Sequence, residues 1–309
     1  MKRFTMGILL MIGITLVAST LSFDSCFTGL KARAQSVEEP RAPGRPEFPR
    51  QFVCTPGTLK GAYGVIIKGN LFNAPGLPIK QYAGLSLVTF DGYGNFSSSR
   101  GMANANGNVG ALADETGTYT IDSDCKGVMK GAVLDYAFIA SREGNEFDLI
   151  QIPKTGPLTP IPAILSGIGK RVAPYDEGKS PMDRAKSFYC SMGMIAGTWS
   201  FAFEGRTNEF PPLPPGPFTG VITMHYDATG AFTGFNRAVF GGVYIEAPQQ
   251  GQQAYVNSDC TTAGAGDVSG YGILVNGGRE FLTIGVYPPG INFPDGKGIV
   301  TTGIAKRVR

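Results

Sequence analysis

Gly167-Ile168-Gly169-Lys170-Arg171-Val172 returns 136 residues later as Gly303-Ile304-Ala305-Lys306-Arg307-Val308. The same offset carries Cys54 onto Cys190, Gly61 onto Gly197, Tyr63 onto Trp199, Asp91 onto Asp227, Gly94 onto Gly230 and Phe96 onto Phe232. Ser123-Asp124-Cys125 meets Ser258-Asp259-Cys260 one residue short of it. A shared offset across both halves of a chain marks an internal duplication. The sequence therefore reads as two copies of one unit, residues 53–172 and 188–309.

Each unit reads as β. Short apolar runs divided by Gly, Asn and Pro predict strands in the first copy near 61–68, 82–90, 94–101, 116–122, 126–132, 133–140, 146–152 and 164–172. Tyr63, Val65 and Ile67 alternate on one face of the first strand, answered by Trp199, Phe201 and Phe203 in the second copy. A large apolar face present twice points into a core. Asp91-Gly92-Tyr93-Gly94 and Asp227-Ala228-Thr229-Gly230 read as hairpin turns. The chain holds 44 Gly and 22 Pro with only 17% charged residues, and the glycines are expected at turns and strand ends. The fold class is all-β, as two tandem antiparallel β-barrels that close on themselves and so lose their sheet edges. A pair of β-sandwiches is the alternative.

The remaining segments organise the chain. Lys2 and Arg3, the uncharged run Met6 to Leu21 and the small-x-small Ala32-Arg33-Ala34 predict a signal peptide over 1–34. That run of 16 residues falls short of the ~20 that span a bilayer, so no membrane span is expected after its removal. Residues 35–52, with Pro40, Pro43, Pro46 and Pro49, read as an extended disordered arm, and 173–187 as a polar linker. The signal takes with it four of the 27 basic residues (Lys2, Arg3, Lys31, Arg33) and one of the 24 acids (Asp24). What is left is neutral, with 23 of each, which argues against nucleic acid as a partner. Cys26 also leaves, and the even count that remains in an exported chain predicts disulfides. If each copy folds on its own, the pairs are Cys54–Cys125 and Cys190–Cys260. The expected location is extracellular or periplasmic.

Gly197-Thr198-Trp199 at the start of the first strand of copy two resembles the G-x-W that opens lipocalin-type (calycin) barrels, and copy one has Gly61-Ala62-Tyr63. The resemblance implies that an arginine after the last strand packs over that aromatic ring at the closed end. Arg171 and Arg307 stand at those positions. It further implies a long loop after the first strand over the open end, supplied by Gly69 to Gln81 and Gly205 to Pro217. The T-D-Y signature of the family is missing and its disulfide placement differs. The whole also resembles secreted bacterial repeat proteins of unknown function, which implies no activity.

Residues that could carry chemistry are few. His225 is the one histidine, with Thr89 at the matching place in copy one, so no His-based metal site is predicted. Paired cysteines supply no thiol nucleophile, and G-x-S-x-G, H-E-x-x-H and phosphate-binding Gly loops are missing. Asp124 and Asp259 recur beside the matched cysteines and read as turn caps. No catalytic residue, cofactor or metal is therefore expected. The first functional reading is a secreted, non-catalytic binding protein holding a small hydrophobic ligand inside a barrel, lined by Tyr63, Val65, Ile67, Trp199, Phe201 and Phe203. The second is a structural or adhesive extracellular protein that meets partners or glycans through loops. The third is a barrel isomerase or cyclase.

Overall fold

The computed structural model describes residues 53–72, 80–154, 163–173, 189–208, 215–251, 253–265, 269–286 and 298–308. The expected signal peptide, the Pro-rich arm and all of the linker but Ala173 lie outside the described residues, as do the middles of the two long loops. Among the described residues no helix is long and apolar enough to cross a membrane.

Nine strands form the first sheet: β1 (Gly61–Leu71), β2 (Lys80–Phe90), β3 (Asn95–Ala105), β4 (Asn108–Ala111), β5 (Glu115–Ile121), β6 (Lys126–Lys130), β7 (Asp135–Ala140), β8 (Glu146–Ile152) and β9 (Ala163–Arg171). They pair antiparallel in the order β2-β1-β9-β8-β7-β6-β5-β3-β4, and β2 pairs with β3 as well. That last pairing closes an eight-stranded barrel from which β4 projects as a hairpin on β3. The strand positions follow the sequence reading except for β4. Its turn is Asn106-Gly107, both with positive φ (53° and 89°), an Asn-Gly hairpin signal that the sequence carried.

The second sheet repeats the plan with β10 (Gly197–Asn208), β11 (Gly216–Tyr226), β12 (Phe232–Phe240), β13 (Val243–Gly251), β14 (Gln253–Val256), β15 (Thr261–Ala265), β16 (Ser269–Val275), β17 (Glu280–Val286) and β18 (Gly298–Arg307). Its order is β13-β12-β11-β10-β18-β17-β16-β15-β14. This sheet does not close by pairing among the described residues. In the first sheet the edge of β3 from Asn95 to Ser98 pairs with β5. In the second, β13 takes the edge of β12 along its whole length, from Phe232–Gly251 to Phe240–Val243. One backbone bond survives at the seam, Ala254 N–H to Gly230 O (2.9 Å), where the first barrel has Tyr119 N–H to Gly94 O (2.7 Å). The result is one closed barrel and one barrel-like sheet, consistent with a calycin-like plan.

The first barrel is packed with rings. Tyr63, Phe90, Phe96, Tyr119, Phe138 and Phe147 are buried and make edge or tilted contacts with centroids 4.9 to 6.2 Å apart. Many glycines take positive φ at turns and strand starts, as expected, but others face these rings across the strands. Gly127 opposes Phe138, Gly169 opposes Phe147 and Gly117 opposes Phe96. A Cβ would lie 2.2, 2.2 and 2.6 Å from those rings respectively. Each ring fills the space of a missing side chain, so large and small residues alternate around a narrow interior. Gly220 under Phe203 and Gly205 under Phe218 repeat the device in the second sheet.

Both disulfides form within their own sheets, Cys54–Cys125 and Cys190–Cys260, with Cα atoms 5.1 and 4.9 Å apart. They indicate an oxidising environment. Cys125 and Cys260 hold positive φ (68° and 71°) in turns braced by Asp122 in the first sheet and Asp259 in the second. The cap in the first copy is thus Asp122, not the matched Asp124, so the two copies cap this turn from different positions; Asp124 is exposed and pairs with Lys126 at 3.7 Å.

The described residues of the two sheets pack into one compact body. Ile66, Ala83, Leu85 and Leu87 on the outer face of β1 and β2 share a core cluster with Ile273, Val275, Leu282 and Ile284 on β16 and β17. β1 is consequently buried on both faces over Tyr63–Ile66, whereas β10 alternates cleanly, Trp199 and Phe201 in, Ser200 and Ala202 out.

Candidate functional site

Of the residues expected to line a ligand site, Tyr63 and Trp199 stand at the closed ends, and Val65, Ile67, Phe201 and Phe203 follow along the same strand faces. Tyr63 and Trp199 are fully buried, Val65 and Phe201 nearly so, and Ile67 and Phe203 are half-buried. A short 3₁₀ turn caps each floor, Pro56–Leu59 in the first sheet and Met192–Met194 in the second. Trp199 Nε1 donates to Ile195 O at 2.7 Å, and the Tyr63 hydroxyl donates to Gly144 O. Burial, partly offset by Arg171, pushes the Tyr63 phenol well above its ordinary range. Arg171 lies over the Tyr63 ring at 4.9 Å and Arg307 over the Trp199 ring at 5.1 Å, as the resemblance implied. The Arg171 guanidinium also donates to Thr58 O (2.9 Å), Gly144 O (2.9 Å) and Lys60 O. Tyr63, Val65, Trp199 and Phe201 thus pack against protein, and the arginines lock the floor beneath Tyr63 and Trp199.

His225 stands exposed on β11 beside the Thr198 hydroxyl (3.1 Å). Among the described residues no three His, Cys, Asp or Glu side chains gather as a metal group would require.

Open volume lies between the two sheets. A cleft of about 570 Å³ separates the outer faces of β1, β8 and β9 from those of β10 and β18. Ile66, Ile150 and Ile168 form one wall, and Ala202, Phe203 and Ile304 line the other. The register explains this apolar floor: Ile66 opposes Ile168 across β1–β9, and Ala202 opposes Ile304 across β10–β18. The ion pair Lys68–Glu204 bridges the walls, and beyond it a second cavity of about 690 Å³ shares Lys68, Ser166, Glu204 and Thr302. At the packed side, Lys170 joins Glu280 (2.7 Å) and Glu146 (3.2 Å), with the Lys170 and Glu280 side chains each 13% exposed. Burial pulls the Lys170 amine down, but its two carboxylate partners outweigh that and raise it. Burial pushes Glu280 up, and Lys170, Asn276 and Lys306 together outweigh it and lower it.

Of the expected residues only Phe203 reaches the cleft, and the sequence did not single out the other cleft residues. Their only sequence signal is outward-facing isoleucine: Ile150 is 58% exposed, where a strand facing water ordinarily carries a polar residue.

No protein-family model and no curated protein matches the chain. Among solved structures it is similar to a protein of unknown function from the DUF3598 family of Nostoc punctiforme, at 12% identity. That match covers 81% of this chain and 97% of the other, with a TM-score of 0.25.

Proposed function

We propose that the protein is an exported, non-catalytic binding protein that holds a small hydrophobic molecule in the cleft between two lipocalin-type units. The observation that carries this reading is the cleft itself. Its volume of about 570 Å³ falls within the ~300–1,000 Å³ of small-molecule sites, and its apolar floor is flanked by Lys68, Asp148, Ser166, Glu204, Thr219 and Thr302, which can orient a ligand. The aromatic–arginine floors support the lipocalin-type reading, and the signal-like N-terminus with the two disulfides supports export. N-phenyl-1-naphthylamine, an uncharged apolar dye, should bind one-to-one with enhanced fluorescence. Ile150→Gln, at an exposed position, should weaken that binding without lowering the melting temperature. A protein that leaves the dye dark, or binds it equally well as Ile150→Gln, is not a binding protein of this kind.

A second reading, partner attachment at a surface, is favoured by Val221, Phe235, Val239 and Tyr244, all exposed on the outer face of β11–β13.

A further inference from the structure

The cleft is one half of a contact whose other half is closed, and matched residues show why. Ala140 N–H bonds to Cys125 O as Leu274 N–H does to Cys260 O. Phe147 opposes Gly169 as Phe281 opposes Ala305. By that register Ile139 matches Ile273, Asp148 matches Leu282 and Ile150 matches Ile284. By the 136 offset Gly64 matches Ser200 and Leu85 matches Val221. Lys68 and Glu204, themselves a matched pair, meet between the two halves, as residues near a quasi-two-fold axis must.

On the closed side Ile273, Leu282 and Ile284 are fully buried against the outer face of β1 and β2. Gly64 permits the approach, because a Cβ there would lie 2.9 Å from Val275 and 3.0 Å from Ile273. On the open side the matched Ile139, Ile150 and Val221 are 59%, 58% and 50% exposed. Two exchanges hold it apart. Ser200 brings a side chain where the closed side has none. Asp148 puts a carboxylate where the closed side has Leu282, and closure would strip its water without supplying a cation.

Asp148 also sets the charge of the open half. Lys68 and Glu204 neutralise each other, and among the described residues Asp148 forms no ion pair. The cleft thus offers an apolar floor with one unmatched negative charge on its wall. Resting on the binding reading above, we infer that the cleft takes a cationic amphiphile. The apolar body lies over Ile66, Ile168, Ala202 and Ile304, and the ammonium group meets Asp148.

Displacement of N-phenyl-1-naphthylamine from the full chain tests this, with dodecylammonium and dodecanoate as competitors below their micellar concentrations. Dodecylammonium should displace the dye more tightly by up to about fivefold, the effect of one exposed charge pair. Asp148→Asn should erase that preference, so that the two competitors displace the dye equally from the variant. Equal displacement by both competitors, or a preference that survives Asp148→Asn, overturns the cationic ligand and leaves the binding reading intact. Failure of the dye to bind the unaltered protein overturns both.

Discussion

Arg307 shows how much one residue settles. Its guanidinium covers Trp199 at 5.1 Å and donates to Met194 O, so it ties the last strand to the turn under the barrel. Arg307→Ala should shift Trp199 emission, which is directly readable because the chain has one tryptophan. It should also destabilise by about 1 kcal/mol or more through lost stacking and packing. Unchanged emission and melting would mean that the arginine does not lock the floor. This pairing was legible in the sequence, since an aromatic and an arginine stand at the two ends of both copies. The glycine–aromatic pairs were not. Gly127 and Phe138 lie 11 residues apart, and only the strand register brings them opposite each other.

At the scale of the strand, that register makes a second test. Gly169 faces Phe147 with a Cβ position 2.2 Å from the ring. Gly169→Ala should therefore cost about 1–3 kcal/mol, the range for overpacking a filled interior. Urea denaturation reads it, and a neutral result would mean that the ring has room to move aside. Most strands were legible because their alternation is local. The exceptions are strands buried on both faces. Leu85 to Val88 and Ile273 to Val275 are almost continuous apolar runs, and such runs report a second covered face without naming what covers it. The partner face is set by tertiary packing, which no period in the sequence encodes.

For the whole molecule, the joint between the sheets is where stability and the proposed binding function meet. Asn104 is fully buried there and donates to Gly285 O (3.0 Å) and Ile299 O (2.9 Å). Lys170–Glu280 joins the same contact, and its pH dependence has a definite sign. Glu280 is lowered in the folded protein, so its contribution is present above its unfolded value of about 4.3 and is lost as pH falls through the folded one. Lys170 is raised, so its contribution is complete below about 10.4 and is lost only as pH rises through the folded value. Glu280→Gln should lower the melting temperature at neutral pH and flatten its acid decline. The surface carboxylates Asp91, Asp227 and Glu246 are lowered too and will keep part of that decline. A variant whose acid limb overlays that of the unaltered protein would remove the pair from the joint.

The cleft was the least legible feature, because it exists only once two sheets are placed against each other. Its walls combine residues from β1, β8, β9, β10 and β18, from Ile66 near the start of the first sheet to Ile304 near the end of the second. Isoleucine methyl NMR during titration with N-phenyl-1-naphthylamine tests that placement most directly. The methyls of Ile66, Ile150, Ile168 and Ile304 should shift together and saturate at one equivalent of dye. Shifts confined to Ile67 and Ile121, which pack with the core of the first barrel, would put the ligand inside the barrel and contradict the account.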